Sequence, residues 1–190
     1  MQCKWGTIDY LQTGTTRQQN AYQVLRDLRL FEILHEYEPI LAGTIPLDID
    51  LEDSDLDVVC HVGDFAAFDQ CVRTAFKGLE GFSQTRCHID NKETSLASFL
   101  YRGFAIELFG QAVESRKQNA YRHMVMEDRL LSLGPPDMRE HIRALKKAGM
   151  KTEPAFMRYL GVMCTDPYAA LLEWEKRSDS ELKEKLSNRL

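Results

Sequence analysis

The segment Ser54-Asp55-Leu56-Asp57-Val58-Val59 sets two carboxylates two residues apart at the head of an apolar run. In a strand, side chains i and i+2 share a face, so Asp55 and Asp57 point the same way, repel each other and lose hydration together. A divalent cation relieves both penalties, because Mg²⁺ takes one or two carboxylates plus substrate phosphates. Upstream, Gly43-Thr44 ends the apolar stretch Pro39-Ile40-Leu41-Ala42. A glycine there lets backbone N–H groups approach an anion closely. A phosphate cradle followed by an Asp-x-Asp metal site is the equipment that nucleotidyl transfer needs.

The chain has 190 residues, 44% of them hydrophobic and 28% charged, an ordinary globular balance at a size between one large domain and two small lobes. No apolar run approaches the roughly 20 residues of a membrane span, and Met1-Gln2-Cys3-Lys4-Trp5 has no secretion-signal core. No membrane partner is expected. The five cysteines (Cys3, Cys60, Cys71, Cys87, Cys164) are scattered and form no C-x-x-C pair, which argues against a disulfide framework or zinc cluster and for a reducing, cytoplasmic setting. A net charge of −5 makes duplex DNA an unexpected partner. The charge is uneven: residues 1–112 carry 9 Lys and Arg against 17 Asp and Glu, and residues 113–190 carry 15 against 12. An acidic half beside a more basic one suits a metal–polyphosphate ligand between them, although chance surface composition gives the same numbers.

Periodicity predicts an α+β chain. Thr16 and Gln19 fit a capping box, and Ala21, Val24, Leu25, Leu28 and Phe31 then keep helical spacing, so helix is expected over 17–37 with a break near Leu30. Residues 40–44 and 55–61 read as short buried strands. The intervening stretch, with Pro46 and the carboxylates Asp48, Asp50, Glu52 and Asp53, reads as a solvated loop; it lacks the glycine and terminal glutamate of a calcium loop. Residues 64–79 read as an amphipathic helix with Phe65, Phe68, Cys71, Val72 and Phe76 inward, ended by Gly81. Strands are expected near 83–90, 95–101 and 104–109. From Gln118 the pattern is helical, broken at Gly134-Pro135-Pro136, Gly149 and Asp166-Pro167. This divides the chain into an α+β lobe over 1–112 and a helical lobe over 113–190.

Two-metal transfer chemistry needs metals about 3.5–4 Å apart, and two carboxylates rarely supply that, so a third should come from a neighbouring strand. Glu107, in Arg102-Gly103-Phe104-Ala105-Ile106-Glu107-Leu108-Phe109, is the candidate; a lone strand glutamate is otherwise a solvent-facing residue. Gly43-Thr44, ten intervening residues, Asp55-x-Asp57 and a later strand carboxylate together resemble the nucleotidyltransferase superfamily typified by DNA polymerase beta. More closely, the chain resembles the DUF4269 proteins, a bacterial family of unknown function. The blocks that carry this are Gly43-Thr44-Ile45-Pro46, Ser54-Asp55-Leu56-Asp57, Ile106-Glu107-Leu108-Phe109-Gly110-Gln111, Gln118-Asn119-Ala120-Tyr121-Arg122-His123-Met124 and Lys151-Thr152-Glu153-Pro154-Ala155-Phe156. The resemblance implies a mixed sheet flanked by helices, followed by a C-terminal helical lobe. It implies that Gly43 and Thr44, next to Ser54, cradle phosphates. Asp55, Asp57 and Glu107 would hold Mg²⁺ or Mn²⁺ as two ions, Glu107 also helping to activate the nucleophile. Thr44 stands where Ser or Gly is usual, and Glu107 where Asp is common.

Further candidates lie outside this set. His123 and Glu127 share a helix face by i,i+4 spacing; the segment reads either as an exposed polar face or as Gln118, Arg122 and His123 contacting base, sugar or acceptor. Arg139, Arg143, Lys146 and Lys147 form a basic stripe, a solvated face or a contact for phosphate or RNA. Lys151 stands ahead of a helix start with Thr152 as N-cap and Pro154 in the first turn, which reads either as a purely structural cap or as a contact for phosphate. Tyr168, Trp174, Met157, Leu160 and Met163 are expected to pack the helical lobe. The functional expectation is a metal-dependent nucleotidyltransferase using a nucleoside triphosphate donor and a small-molecule, protein or RNA-end acceptor. The alternative is a nucleotide-binding or toxin–antitoxin-type partner of the same fold with little catalysis.

Overall fold

The computed structural model describes residues 4–89 and 91–187; Cys3, and Asp90 at the end of the strand expected over 83–90, lie outside them. Helix α1 (Thr16–Asp27) starts at a capping box one residue earlier than expected, Thr15 with Gln18. The tandem Thr15-Thr16 and Gln18-Gln19 allow either register. Gln18 takes the box because its Nε2 also donates to the Ile45 and Pro46 carbonyls, at 2.8 and 3.3 Å. The helix breaks where Arg29 adopts φ 50°, and a four-residue turn, α2 (Leu30–Ile33), follows. Strands β1 (Ile40–Ala42) and β2 (Leu56–His61) come next, then α3 (Phe65–Phe76), whose first turn is capped by the Asp64 carboxylate. Gly81 does not end α3. It sits inside β3 (Glu80–Ile89) at φ 66°, where the pairing register shifts between Glu80 and Ser83, a bulge that glycine tolerates. Strands β4 (Lys92–Tyr101) and β5 (Phe104–Gln111) complete one five-stranded sheet in the order β1-β2-β5-β4-β3. β2 and β5 run parallel; every other neighbouring pair is antiparallel. The fold is α+β with a mixed sheet.

The described residues divide into two compact units: those up to Pro46 together with Asp53–Tyr121, and Leu47–Glu52 together with those from Arg122 onward. The first unit holds the sheet. Its core joins Val24 and Leu25 of α1, Phe68, Val72 and Phe76 of α3, and Val58, Phe99, Ile106 and Leu108 of the sheet. Phe76 stacks on Phe99 at 4.9 Å between centroids. Phe68 also rests on β5, since a Cβ at Gly110 would stand 2.8 Å from its Cε1. Truncating so buried a phenylalanine costs about 3–5 kcal/mol.

The second unit contains α4 from Arg122 (α4 spans Asn119–Leu133), α5 (Met138–Lys147), α6 (Thr152–Tyr159), α7 (Pro167–Glu173) and α8 (Asp179–Ser187). Lys151, not Thr152, occupies the N-cap position of α6. Met157, Leu160 and Trp174 are buried, but Met163 is fully exposed and Tyr168 is 43% exposed, so neither packs the lobe as expected. Two larger corrections concern charge. The loop between β1 and β2 is not a solvated turn: Leu47 and Ile49 are buried, and α5 grips its backbone. Arg139 Nε donates to the Leu47 carbonyl at 3.2 Å, Arg143 to the backbone and carboxylate of Asp48, and Lys146 Nζ to the Ile49 carbonyl at 2.8 Å. Most of the basic stripe is therefore engaged by its own chain; Lys147 alone of the four is exposed. Likewise His123 and Glu127 are buried rather than part of an exposed polar face. No helix among the described residues is long and apolar enough to cross a membrane.

Candidate active site

The parallel pairing of β2 with β5 sets Asp57 directly opposite Glu107, on strands roughly 4.8 Å apart. Asp55 precedes β2 by one residue, on the same face as Asp57. The three carboxylates are half-buried, and one oxygen from each lies within 4.8 Å of the others. Among the described residues no other trio of His, Cys, Asp or Glu comes so close. Burial, and then the charge of Asp55, push the Glu107 carboxyl above its ordinary value. An all-oxygen donor set fits a hard cation such as Mg²⁺ or Mn²⁺ rather than a thiolate-loving metal.

Gly43 closes one side. It follows β1, whose last residue Ala42 pairs with Asp57, and it adopts φ 78°. A Cβ on Gly43 would stand 2.3 Å from Asp57 Oδ2, so its conformation favours glycine and any side chain there displaces the Asp57 carboxylate. Thr44 Oγ1 donates to Ser54 Oγ at 3.4 Å, tying the cradle to the residue before Asp55. Arg17 of α1 donates to the Ser54 carbonyl at 2.8 Å, and its guanidinium lies over the Phe104 ring at 4.7 Å. Gln18, one residue on, holds the Ile45 and Pro46 carbonyls. Arg17 and Gln18 thus fix both ends of the loop that joins cradle to acids, a role the sequence reading missed. The one available signal was the capping box itself.

Of the remaining sequence candidates, Gln118 lies in the first unit and three lie in the second. Gln118 is buried, its Nε2 donating to the Cys60 and Val113 carbonyls at 2.8 and 2.9 Å. Arg122, His123 and Lys151 belong to the second unit. There Arg122 forms a two-pronged pair with Glu175 at 2.7 and 3.1 Å. His123 has Nε2 3.1 Å from the Tyr168 carbonyl oxygen and Nδ1 3.3 Å from Glu153 Oε1. Lys151 is exposed. Glu127, one helical turn from His123, is pushed up to about 8 by burial first and the Glu153 charge second, with Lys146 opposing.

No curated protein matches the chain. Solved structures do. The GLD-2/RNP-8 complex matches with a TM-score of 0.55 at 10% identity, over 96% of this chain and 78% of that one. The Cid1 poly(U) polymerase with Mg 3′-dATP bound gives 0.52 at 15% identity, over 83% and 48%. A cytoplasmic RNA terminal U-transferase gives 0.51 at 14%, over 83% and 46%. The chain thus spans less than half the length of the latter two, and at such identities the likeness is one of fold. A family described as "Domain of unknown function (DUF4269)" matches residues 23–174; the chain belongs to the DUF4269 family and carries the fold of the nucleotidyltransferases.

Proposed function

We propose that this chain is a metal-dependent nucleotidyltransferase, moving a nucleoside monophosphate from a nucleoside triphosphate to an acceptor hydroxyl. The observation that carries the reading is the convergence of Asp55, Asp57 and Glu107 within 4.8 Å, walled by a glycine that no other residue can replace without meeting Asp57. Neighbours of the same fold solved with Mg 3′-dATP and with the UTP analogue UMPNPP support a triphosphate donor. Two Mg²⁺ or Mn²⁺ ions, bound by the three carboxylates, would stabilise the attacking and leaving oxygens of an in-line displacement. The backbone N–H groups at Gly43 and Thr44, with the Ser54 hydroxyl, would bind the β- and γ-phosphates. Arg17 and Gln18 hold the two ends of the loop that follows that cradle. Glu107, whose proton affinity is raised, would accept the proton of the attacking hydroxyl. Pyrophosphate leaves. In this reading the chemistry resides in the lobe of residues 1–112.

The test is a thermal-shift panel of the eight common ribo- and deoxyribonucleoside triphosphates, with and without Mg²⁺, followed by pyrophosphate release. Ligand at about 100 times its Kd adds ~2.7 kcal/mol, a rise of roughly 5–10 °C for a chain of this size. A metal-dependent shift that Asp57→Asn abolishes is the expected result. Equal shifts in the variant and the wild type, or none with any nucleotide, would overturn the assignment.

A further inference from the structure

The first unit contains a second concavity, a cavity of about 720 Å³ at the other end of the same strands. Ile40, in its wall, pairs with Val59 near the C-terminal end of β2, whereas Asp57 lies near the start. Glu114 and Arg116, also in the wall, follow the end of β5. Val59, the partner of Ile40, is two strand residues beyond Asp57, and none of Asp55, Asp57 and Glu107 lines the cavity, so cavity and acid trio are separate. Its volume falls within the roughly 300–1,000 Å³ of small-molecule sites.

Its floor is apolar: Ile8, Leu25 and Ile40 are buried, and Phe31 is half-buried beside them. Its charges sort into those that are spent and those that are not. Glu32 faces both Arg29 and Arg26, at 2.7 and 4.0 Å, and Glu114 is held by Lys117 at 2.7 Å. Glu38, Arg116 and His35 differ: all three line the cavity as exposed side chains, and none has a hydrogen bond or ion pair among the described residues. Glu38 and Arg116 are the acid and the strong base among them. They are brought to one wall by the buried Ser115, whose Oγ donates to the Glu38 carbonyl at 2.7 Å. Glu38 keeps that place in the left-handed region, φ 47°, a conformation that costs an ordinary residue about 1–2 kcal/mol. An unpaired acid and an unpaired base on one wall above an apolar floor complement a ligand that carries both charges next to an apolar body.

We propose that this cavity binds a small zwitterion, an α-amino acid with an apolar side chain. Its carboxylate meets Arg116, its ammonium meets Glu38, and its side chain lies over Ile8, Leu25 and Phe31. The site is independent of the nucleotidyl-transfer reading, because it uses none of that machinery.

The experiment is calorimetric titration of the full chain with L-leucine, L-methionine and L-phenylalanine, and with leucine amide and N-acetyl-leucine, which lack one charge each. At least one free amino acid should bind saturably. The two derivatives should bind about tenfold or more weakly, the worth of one charge-assisted hydrogen bond. Arg116→Gln should erase the preference for leucine over its amide, and Glu38→Gln the preference over the N-acetyl form. Asp57→Asn should leave all of these unchanged. If Glu38→Gln does not fold, the Arg116→Gln arm decides alone. Absence of saturable binding by any of the three amino acids overturns the proposal, as does binding indifferent to both substitutions.

Discussion

Gly43→Ala separates strain from chemistry at the candidate site, because the two penalties fall on different observables. At φ 78° an alanine enters the left-handed region, costing about 1–2 kcal/mol. For a chain of this size that lowers Tm by roughly 2–8 °C. The added Cβ would also stand 2.3 Å from Asp57 Oδ2, and the carboxylate end must swing away. Swinging a half-exposed side chain costs little stability, but it moves an oxygen that the acid trio needs. Misplacing a reacting group by about 1 Å can cost 10²-fold in rate, and metal affinity should fall at least about tenfold. Gly103→Ala is the matched control: its φ is 81°, and a Cβ there meets nothing within 4 Å. The two variants should lose similar stability in urea melts, while only Gly43→Ala loses Mn²⁺ affinity by titration and Mg²⁺-dependent nucleotide stabilisation. Equal metal and nucleotide binding in both variants would refute the placement of Asp57 in the site.

Asp57→Asn should raise the Tm of the metal-free protein slightly, since it removes carboxylate repulsion, while abolishing Mg²⁺-dependent nucleotide shifts; a lower Tm in the absence of metal contradicts the repulsion argument. Because the Glu107 carboxyl is raised, protons compete with metal more strongly there, so Mn²⁺ affinity should fall with pH below neutrality less steeply in Glu107→Gln than in the wild type. Glu127 holds its proton to about pH 8 in the folded chain but only to its ordinary carboxylate range when unfolded, so the folded state binds the extra proton in that window. Stability therefore falls as pH rises through it, by at most about 1.4 kcal/mol per unit; Glu127→Gln should flatten that slope in melts taken from pH 5 to 8. Arg143→Met should cost about 1–2 kcal/mol by releasing the Asp48 carbonyl and carboxylate, whereas Lys147→Met on the exposed face of the same helix should cost nothing measurable.

What could be read from the sequence was what depends on local spacing. Asp55 and Asp57 share a face because strand geometry alone dictates it, and Glu107 between Ile106 and Leu108 could be suspected on the same ground. That Glu107 lies opposite Asp57 needed the parallel register of β2 and β5, which two strands about fifty residues apart do not announce. Helix α1 was visible by period. Its first residue was not, because Thr15-Thr16 and Gln18-Gln19 offer two equivalent boxes and the choice is made by the distant carbonyls of Ile45 and Pro46. Gly81 misled for a related reason: a glycine at positive φ ends a helix or opens a bulge, and only strand pairing distinguishes them.

The charged residues were the hardest to place, and the failures share a cause. A stripe such as Arg139, Arg143 and Lys146 reads as solvated when no partner is in sequence range, but here its partners are the carbonyls of Leu47, Asp48 and Ile49, more than ninety residues upstream. Backbone acceptors carry no signature in a sequence; any residue supplies one. The acidic letters of that loop suggested water, yet its structure is set by Leu47 and Ile49, which are buried, and by carbonyls that must then find donors. Three long basic side chains can reach such carbonyls while their aliphatic stems cover apolar surface. A buried loop and a basic stripe therefore explain each other. With three of its four cations tied to that loop, the stripe has fewer free donors for a polyanion, and in the proposed reaction phosphate contact would fall to the backbone of Gly43 and Thr44 and to metal ions held by the acid trio.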